Sequence, residues 1–368
     1  MKNMKKMVMV QPFLTSYRMW LYENFQCCNL TVLHSGLNKL NSGFKSECGS
    51  KKANLKFVKI PTLQPFGSRF LLYQAGIIGR LMSERPDVVI IFANIRYLSF
   101  WTTLVAGRLL NIRVYPHGHG LFKKVSPNVI YKLAYCLIGV LCSKYICYTD
   151  SVAKSLTGIN FPAKKIAVAN NSIENLSAVD SAIKSGEEFD LLFIGRLRER
   201  CEIEILVSAV AEVRDLLGKK INIHIIGDGI LFGGLSEKYK SFNWVIFYGA
   251  VYDNREIAVI SRNCRYGVYP GACGLSVVHY MSLSLPSIVH SNMGLHEGPE
   301  ATYIKDEFNG FLFDAALGYR GLVNCLTRAY CFTNHRWVVV NSFNSYKNLI
   351  QPKLSERFED IVFRQTEL

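Results

Sequence analysis

Short runs of consecutive apolar residues, spaced by segments of helical periodicity, recur along most of the chain. Met7 to Val10, Leu30 to His34 and Phe57 to Ile60 are the first, and Val88 to Phe92 is the clearest. Five apolar residues without alternation suit a strand buried on both faces of a parallel sheet. An amphipathic segment begins at Arg18, and Phe70 to Met82 is spaced as a helix. Leu98 to Leu110 predicts a further helix, leading to a strand over Ile112 to Tyr115 that delivers PHGHG at 116–120. Tyr131 to Val140 reads as a largely apolar helix, with short strands after it at Tyr145 to Tyr148 and Ile166 to Ala169. The polar stretch 41–54 reads as a loop, and 177–188, SAVDSAIKSGEE, lacks a long period and reads as a linker.

Beyond the linker the rhythm restarts. Leu191 to Ile194 is followed by Gly195-Arg196-Leu197 and a helix to about Leu217, then Ile221 to Ile226 with Gly227-Asp228-Gly229, and Trp244 to Tyr248 with Gly249. Strand alternating with helix predicts two α/β domains, with ligands beyond the carboxyl ends of the strands and a cleft between the domains. The expected bounds are an N-terminal domain over 1–176, the linker over 177–188, a C-terminal domain over 189–345 and a closing segment over 346–368, in which Leu354 to Phe363 is an amphipathic helix.

One stretch concentrates the candidate chemistry. Tyr266 to Tyr269 reads as a strand that runs into Pro270-Gly271-Ala272-Cys273-Gly274. Leu275, Val278, Met281 and Leu285 then recur at helical spacing until Pro286, before a strand over Ser287 to His290. A glycine-rich strand end opening into a helix can hold an anion on its unpaired N–H groups, or can be an ordinary tight turn.

Charge changes the picture of the first half. Residues 1–185 carry 24 Lys and Arg against 7 Asp and Glu, whereas 186–368 carry 19 against 21. The excess points to an anionic membrane surface, with Lys123, Lys124 and Lys132 as membrane-facing candidates; no zinc-finger, RRM or helix-turn-helix signature supports nucleic acid. Eleven scattered cysteines without a CxxC pair fit a reduced, cytoplasmic protein. The N-terminus lacks the pattern of a signal peptide, and the longest uncharged apolar runs fall short of a spanning helix.

In order and spacing, DLLFIGRL (190–197), HIIGDG (224–229), VIFYGAV (245–251), YPGACGLSVVHYMSLSLPSIV (269–289), GPEATYI (298–304) and NGFLF (309–313) resemble the donor half of retaining family 4 glycosyltransferases. Tyr17-Arg18, RPDVVIIFANIRYLSFW (85–101), GHGLFKK (118–124) and CYTDSVAKSL (147–156) resemble the N-terminal half of its bacterial surface-polysaccharide, O-antigen-type members. The resemblance implies a GT-B fold, two Rossmann-like α/β domains with a central cleft. It implies retaining transfer of a sugar from a nucleotide-diphosphate sugar to a membrane-attached acceptor, a lipid-linked oligosaccharide or lipopolysaccharide, by a protein peripheral at the inner face of the plasma membrane.

Residue by residue, the resemblance makes Arg196 the diphosphate-binding arginine, a task its planar fork suits. It gives Gly274, Leu275 and Ser276 to the diphosphate, Glu300 to the end of the donor pocket and Tyr248 to Val251, including Gly249, to the base. His119 corresponds to a catalytic-site histidine, with His117 as the alternative. Two glutamate places of the family hold Gly271 and His279 here, and His279 can exchange hydrogen bonds with ribose. The lysine place after GRL holds Cys201, with Arg198 and Arg200 as possible replacements. No Asp-x-Asp occurs in the chain, so neither a metal nor another cofactor is expected. A catalytically silent scaffold that binds a partner enzyme or a lipid is the alternative. A sugar-nucleotide epimerase would need cleft carboxylates that are not apparent, and a dinucleotide dehydrogenase would need GxGxxG, which GDG does not supply.

Overall fold

A computed structural model describes residues 4–36, 52–67, 71–123, 127–174 and 189–364. The chain divides into two compact units, Met1–Asn171 with Pro352–Leu368, and Ser172–Gln351. Linker 177–188, most of loop 41–54, and Lys124 lie outside the described residues. No helix among those described is long and apolar enough to cross a membrane.

In the N-terminal unit, β1 (Lys5–Phe13), α1 (Met19–Glu23), β2 (Cys28–Ser35) and β3 (Leu55–Lys59) lead to a two-stranded antiparallel pair, β4 (Thr62–Leu63) with β5 (Tyr73–Gln74). They are followed by α2 (Ile77–Glu84), β6 (Val88–Phe92), α3 (Leu98–Leu109), β7 (Arg113–Gly118), α4 (Val129–Leu141), β8 (Tyr145–Cys147), α5 (Asp150–Thr157) and β9 (Ile166–Val168). The sheet order is β3-β2-β1-β6-β7-β8-β9, and every pairing in it is parallel. Met7, Met9, Val32, Val88, Ile90 and Tyr115 form its core with Leu354, Phe358, Ile361 and Val362 from the chain's end. The helix expected from Phe70 begins only at Ile77, because Tyr73–Gln74 pair as a strand and Gly76 turns the chain at φ 88°. Strand β7 runs further than expected, so His117 is a strand residue.

The C-terminal unit comprises β10 (Asp190–Ile194), α6 (Ile203–Leu217), β11 (Ile223–Ile226), α7 (Phe232–Lys238), β12 (Val245–Gly249), α8 (Asn254–Ile260), β13 (Cys264–Tyr269), α9 (Ser276–Ser282), β14 (Ser287–His290), β15 (Gly310–Phe313), α10 (Tyr319–Cys331) and α11 (His335–Ile350). Its parallel sheet has the order β12-β11-β10-β13-β14-β15, so the direction of winding reverses between β10 and β13. Helix α9 stops three residues short of the expected Leu285, and Ser284 adopts φ 55° in the turn that follows.

The expected boundary at 345/346 falls inside α11, which continues to Ile350. The chain then returns to the N-terminal unit as α12 (Leu354–Glu359), extended by a π-helical turn, Asp360–Arg364. Polar contacts fix the return. The Glu359 carboxylate accepts from the Gln26 and Cys27 N–H groups, both at 2.7 Å, and Arg113 donates to the Val362 carbonyl at 2.9 Å. Phe358 stacks on Phe25 with ring centroids 6.2 Å apart.

Candidate functional site

The loops at the carboxyl ends of β10, β11 and β12 run side by side because glycine lets their backbones touch. Gly195 N–H donates to Ile226 O (3.0 Å), Leu197 N–H to Asp228 O (3.0 Å) and Gly227 N–H to Gly249 O (2.8 Å). A Cβ at Gly227 would sit 1.8 Å from the Gly195 carbonyl oxygen, and one at Gly229 would sit 2.4 Å from that of Leu197. Backbone atoms cannot retreat as a flexible side chain can, so these positions exclude larger residues. Gly249 ends β12 at φ 70°. Arg196 is half-buried in the turn directly after β10.

Across the winding reversal, the loop after β13 is locked to the turn after GRL. Ala272 N–H donates to Arg200 O at 2.8 Å, and a Cβ on Gly271 would lie 2.2 Å from that same oxygen. Two of the three departures from the resembled pattern, Gly271 and Cys201, are therefore neighbours, since that Cβ would also lie 3.1 Å from the Cys201 carbonyl carbon. The backbone of residues 200–201 fills the space into which a side chain at 271 would project. Cys201 itself is buried in the core, where burial raises its thiol pKa.

Arg198 and Arg200 converge on Glu297, with nitrogen–oxygen distances of 3.4 Å and 2.6 Å, and Arg200 also donates to Leu295 O at 2.8 Å. Their charges tie the turn after β10 to the segment after β14. Glu297 and Gly298 N–H groups donate to Cys273 O at 2.8 and 3.3 Å, closing the third side. Cys273 N–H donates to His296 Nδ1 (3.3 Å), whose Nε2–H donates to His290 O (2.9 Å). The His290 and His296 rings stack with centroids 3.7 Å apart, and burial lowers the His290 pKa.

Of the expected donor residues, Gly274 and Glu300 come together. Glu300 is buried in the 3₁₀ turn Pro299–Tyr303, and a Cβ on Gly274 would lie 3.8 Å from its Oε2. Gly298 makes room for it: a Cβ there would lie 2.0 Å from Oε2. Leu275 and Ser276 open α9, and the next two N–H groups, of Val277 and Val278, already donate to Gly274 O (3.3 Å) and Leu275 O (3.1 Å). His279 is half-buried on α9, its Nε2 is fully enclosed without a hydrogen-bond partner, and burial pushes its pKa down to about 4.

A cavity of about 220 Å³ opens beside these loops, walled by Arg200, Glu202, Pro270, Ala272, His290 and Phe313. Pockets for whole drug-sized ligands span roughly 300–1,000 Å³, so this one has room for a single small ring. Glu202 holds a left-handed conformation at φ 55°, costly for a residue with a side chain, and burial raises its carboxyl pKa. Sequence reasoning missed Glu202, Glu297, His290 and His296. His290, closing a strand that meets the candidate site, was the one with a visible signal.

In the N-terminal unit, the structure separates the two histidine candidates. His117 is buried, edge-on to Phe358 at 4.8 Å and tilted against Tyr148 at 4.3 Å, and burial holds its pKa well below the usual range. His119 is half-buried, with its ring edge-on to Tyr148 at 4.5 Å. The loop carrying it is braced by Gly120, which at φ 52° accepts from Tyr135 OH (2.8 Å) and donates to Tyr145 OH (3.0 Å). Lys123 and Lys132 are exposed.

With this geometry in place, the fold is GT-B, two Rossmann-like α/β domains. The chain is similar over its whole length to three solved structures. Pneumococcal O-GlcNAc transferase GtfA, in complex with UDP and GlcNAc, matches at TM-score 0.70 and 12% identity, covering 100% of both chains. The lipopolysaccharide outer core galactosyltransferase WaaB matches at 0.68 and 15%, covering 98% of this chain and 99% of that one. Anabaena Alr3699/HepE, in complex with UDP-glucose, matches at 0.65 and 14%, covering 99% and 100%. Residues 188–329 match the family described as Glycosyl transferases group 1. No curated protein matches the chain.

Proposed function

We propose that this protein is a retaining glycosyltransferase that moves a hexosyl or related sugar from a nucleotide-diphosphate sugar to a membrane-attached acceptor, a lipid-linked oligosaccharide or lipopolysaccharide, in bacterial surface-polysaccharide synthesis such as that of O-antigen. One observation carries the donor half of the reading. Arg196 and the loop 270–276 flank the point where strand order reverses, the place at which open α/β sheets bind nucleotides. The complexes of GtfA and HepE with UDP, and the name of WaaB, support the substrate class.

In this reading Arg196 and the N–H groups of Gly274, Leu275 and Ser276 hold the diphosphate, and they stabilise the charge that grows on it as the glycosidic bond breaks. Fixed dipoles suffice for that step, so no metal ion is invoked. Gly249 approaches the base, His279 acts as a neutral partner for ribose hydroxyls, and Glu300 closes the pocket. Arg198 and Arg200, paired with Glu297, act as struts of the loop. His119 serves the acceptor side, and the protein works peripherally at the inner face of the plasma membrane.

Titration calorimetry with a panel of nucleoside diphosphates tests the donor site. At least one is expected to bind, and Arg196→Ala is expected to lower kcat/KM for transfer by about 100-fold. No binding by any member of the panel would overturn the reading. Gly271 motivates one alternative, a catalytically silent scaffold that binds a partner enzyme or a lipid, which would transfer nothing to any lipid-diphosphate acceptor.

A further inference from the structure

Helix α4 presents an apolar face outward. Val129, Ile130, Leu133, Leu137 and Val140 are 69%, 74%, 64%, 48% and 61% exposed. Adjacent α3 packs against it and adds Val105, Leu109 and Leu110 to the exposed apolar surface. Soluble surfaces rarely carry so many large aliphatic side chains together, and such a patch marks an interaction site.

The helix is not a frayed element that happens to expose its core side. Its opposite face is buried through Tyr135, Ile138 and Gly139, and a Cβ on Gly139 would lie 3.1 Å from Pro162. Asn128 caps the first turn by accepting from Tyr131 N–H at 3.0 Å. Lys165 closes the other end, donating to the carbonyls of Gly139 (2.7 Å), Val140 (3.3 Å) and Cys142 (2.9 Å), where a cation also opposes the negative end of the helix dipole. A rigid, doubly capped helix thus holds its apolar side toward solvent.

Charge identifies the occupant. From Val88 to Thr149 the sequence contains no Asp or Glu, while Arg96, Arg108, Arg113, Lys123, Lys124, Lys132 and Lys144 contribute seven positive charges. Arg108, Lys123 and Lys132 are exposed. A second copy placed on this face would set cation against cation. An anionic bilayer satisfies both features at once, taking the aliphatic side chains below the headgroups and the lysines among them. At 13 residues α4 is too short to span a bilayer, which takes about 20, so it would lie in the plane of the interface.

We propose that α4, with the end of α3, is the membrane-docking element, and that it inserts its aliphatic face into anionic lipid. The inference builds on the membrane-acceptor part of the proposed function and names the surface that meets the lipid. Vesicle flotation of the purified full-length protein tests it, with vesicles of phosphatidylglycerol and phosphatidylethanolamine against vesicles of phosphatidylcholine alone. Wild type is expected to float with the anionic vesicles, more weakly as salt rises. Leu133→Glu/Leu137→Glu, both on the exposed face, is expected to bind at least 10-fold more weakly with an unchanged circular dichroism spectrum and melting temperature. Lys123→Glu/Lys132→Glu is expected to lose the salt-sensitive part.

The proposal is overturned if wild type stays unbound, if Leu133→Glu/Leu137→Glu binds as wild type does, or if wild type is a dimer in solution that this variant converts to monomer. Calorimetry with the nucleoside diphosphate panel on the same preparations separates the two readings. Flotation without nucleotide binding would sink the transferase and leave the docking helix standing, and nucleotide binding without flotation would do the reverse.

Discussion

The two units are both parallel α/β sheets, yet they spend their sequence differently. The C-terminal unit invests in strand ends: Gly227, Gly229, Gly271 and Gly298 sit where any Cβ would meet an oxygen at 2.4 Å or less, and the loops after β10, β11, β13 and β14 brace one another. The N-terminal unit invests in a surface, leaving aliphatic side chains on α4 exposed within an acid-free, basic segment. One scaffold has been made into an edge of interlocked loops and the other into an apolar face. The difference teaches that Rossmann-like topology fixes where a site can be, while close backbone contacts or exposed side chains decide what it does.

The sharpest way to break the comparison is Gly227→Ala. Its Cβ would meet the Gly195 carbonyl at 1.8 Å, backbone against backbone, so a loss of about 3 kcal/mol or more is expected, enough to unfold a marginal unit. Calorimetric melting should show the transition of the C-terminal unit lowered or absent. Retention of wild-type stability would mean the loops are not interlocked.

Phe358→Ala is the counterpart in the N-terminal unit. The ring is 1% exposed, stacks on Phe25 and lies edge-on to His117, so truncation is expected to cost about 3–5 kcal/mol. The damage should appear in the N-terminal unit although the residue is among the last in the sequence. Denaturant titration with hydrogen exchange on peptides of each unit locates it.

How much of this was legible follows from what leaves a periodic trace. Strands such as Val88–Phe92 and Ser287–His290 were placed to the residue, because burial on both faces of a parallel sheet writes itself as an apolar run. The delayed start of α2 was hidden, since a two-residue strand and a left-handed Gly76 interrupt a periodicity that looks unbroken. Within the candidate site, Arg196 and the loop 270–276 were visible as motifs. The contact of Gly271 with Arg200, 71 positions apart, leaves no local pattern, and neither does the left-handed Glu202. The difference in burial between His117 and His119 follows from how far β7 runs, and strand ends are weakly encoded.

On acid, the units converge. Burial lowers the pKa of His117 in one and of His279, to about 4, in the other. A histidine whose folded pKa lies below its unfolded value of roughly 6.5 favours the fold only while neutral. Its stability contribution is therefore complete above about pH 6.5 and lost as pH falls toward about 4, at a cost on the order of 2 kcal/mol for His279. Melting temperature measured from pH 7 to 4 should fall, and His279→Gln should flatten part of the slope. An unchanged slope would place the acid sensitivity elsewhere.

The smallest expected effect sharpens the comparison most. If glycine matters in the C-terminal unit because of where it sits, rather than which unit holds it, then glycines in open space should behave alike in both. Gly79 in α2 and Gly234 in α7 are exposed and helical, and a methyl group added at either would have nothing within 4 Å. Alanine at either site removes backbone freedom from the unfolded chain without a clash, so each substitution is expected to stabilise its unit by about 0.5–1 kcal/mol. The same chemical change thus has opposite signs at Gly227 and Gly234, seven positions apart in one unit, and matching signs at Gly79 and Gly234 across the two. Chemical denaturation of Gly79→Ala and Gly234→Ala measures both, and destabilisation by Gly234→Ala would show that α7 is under the same close constraint as the loop that precedes it.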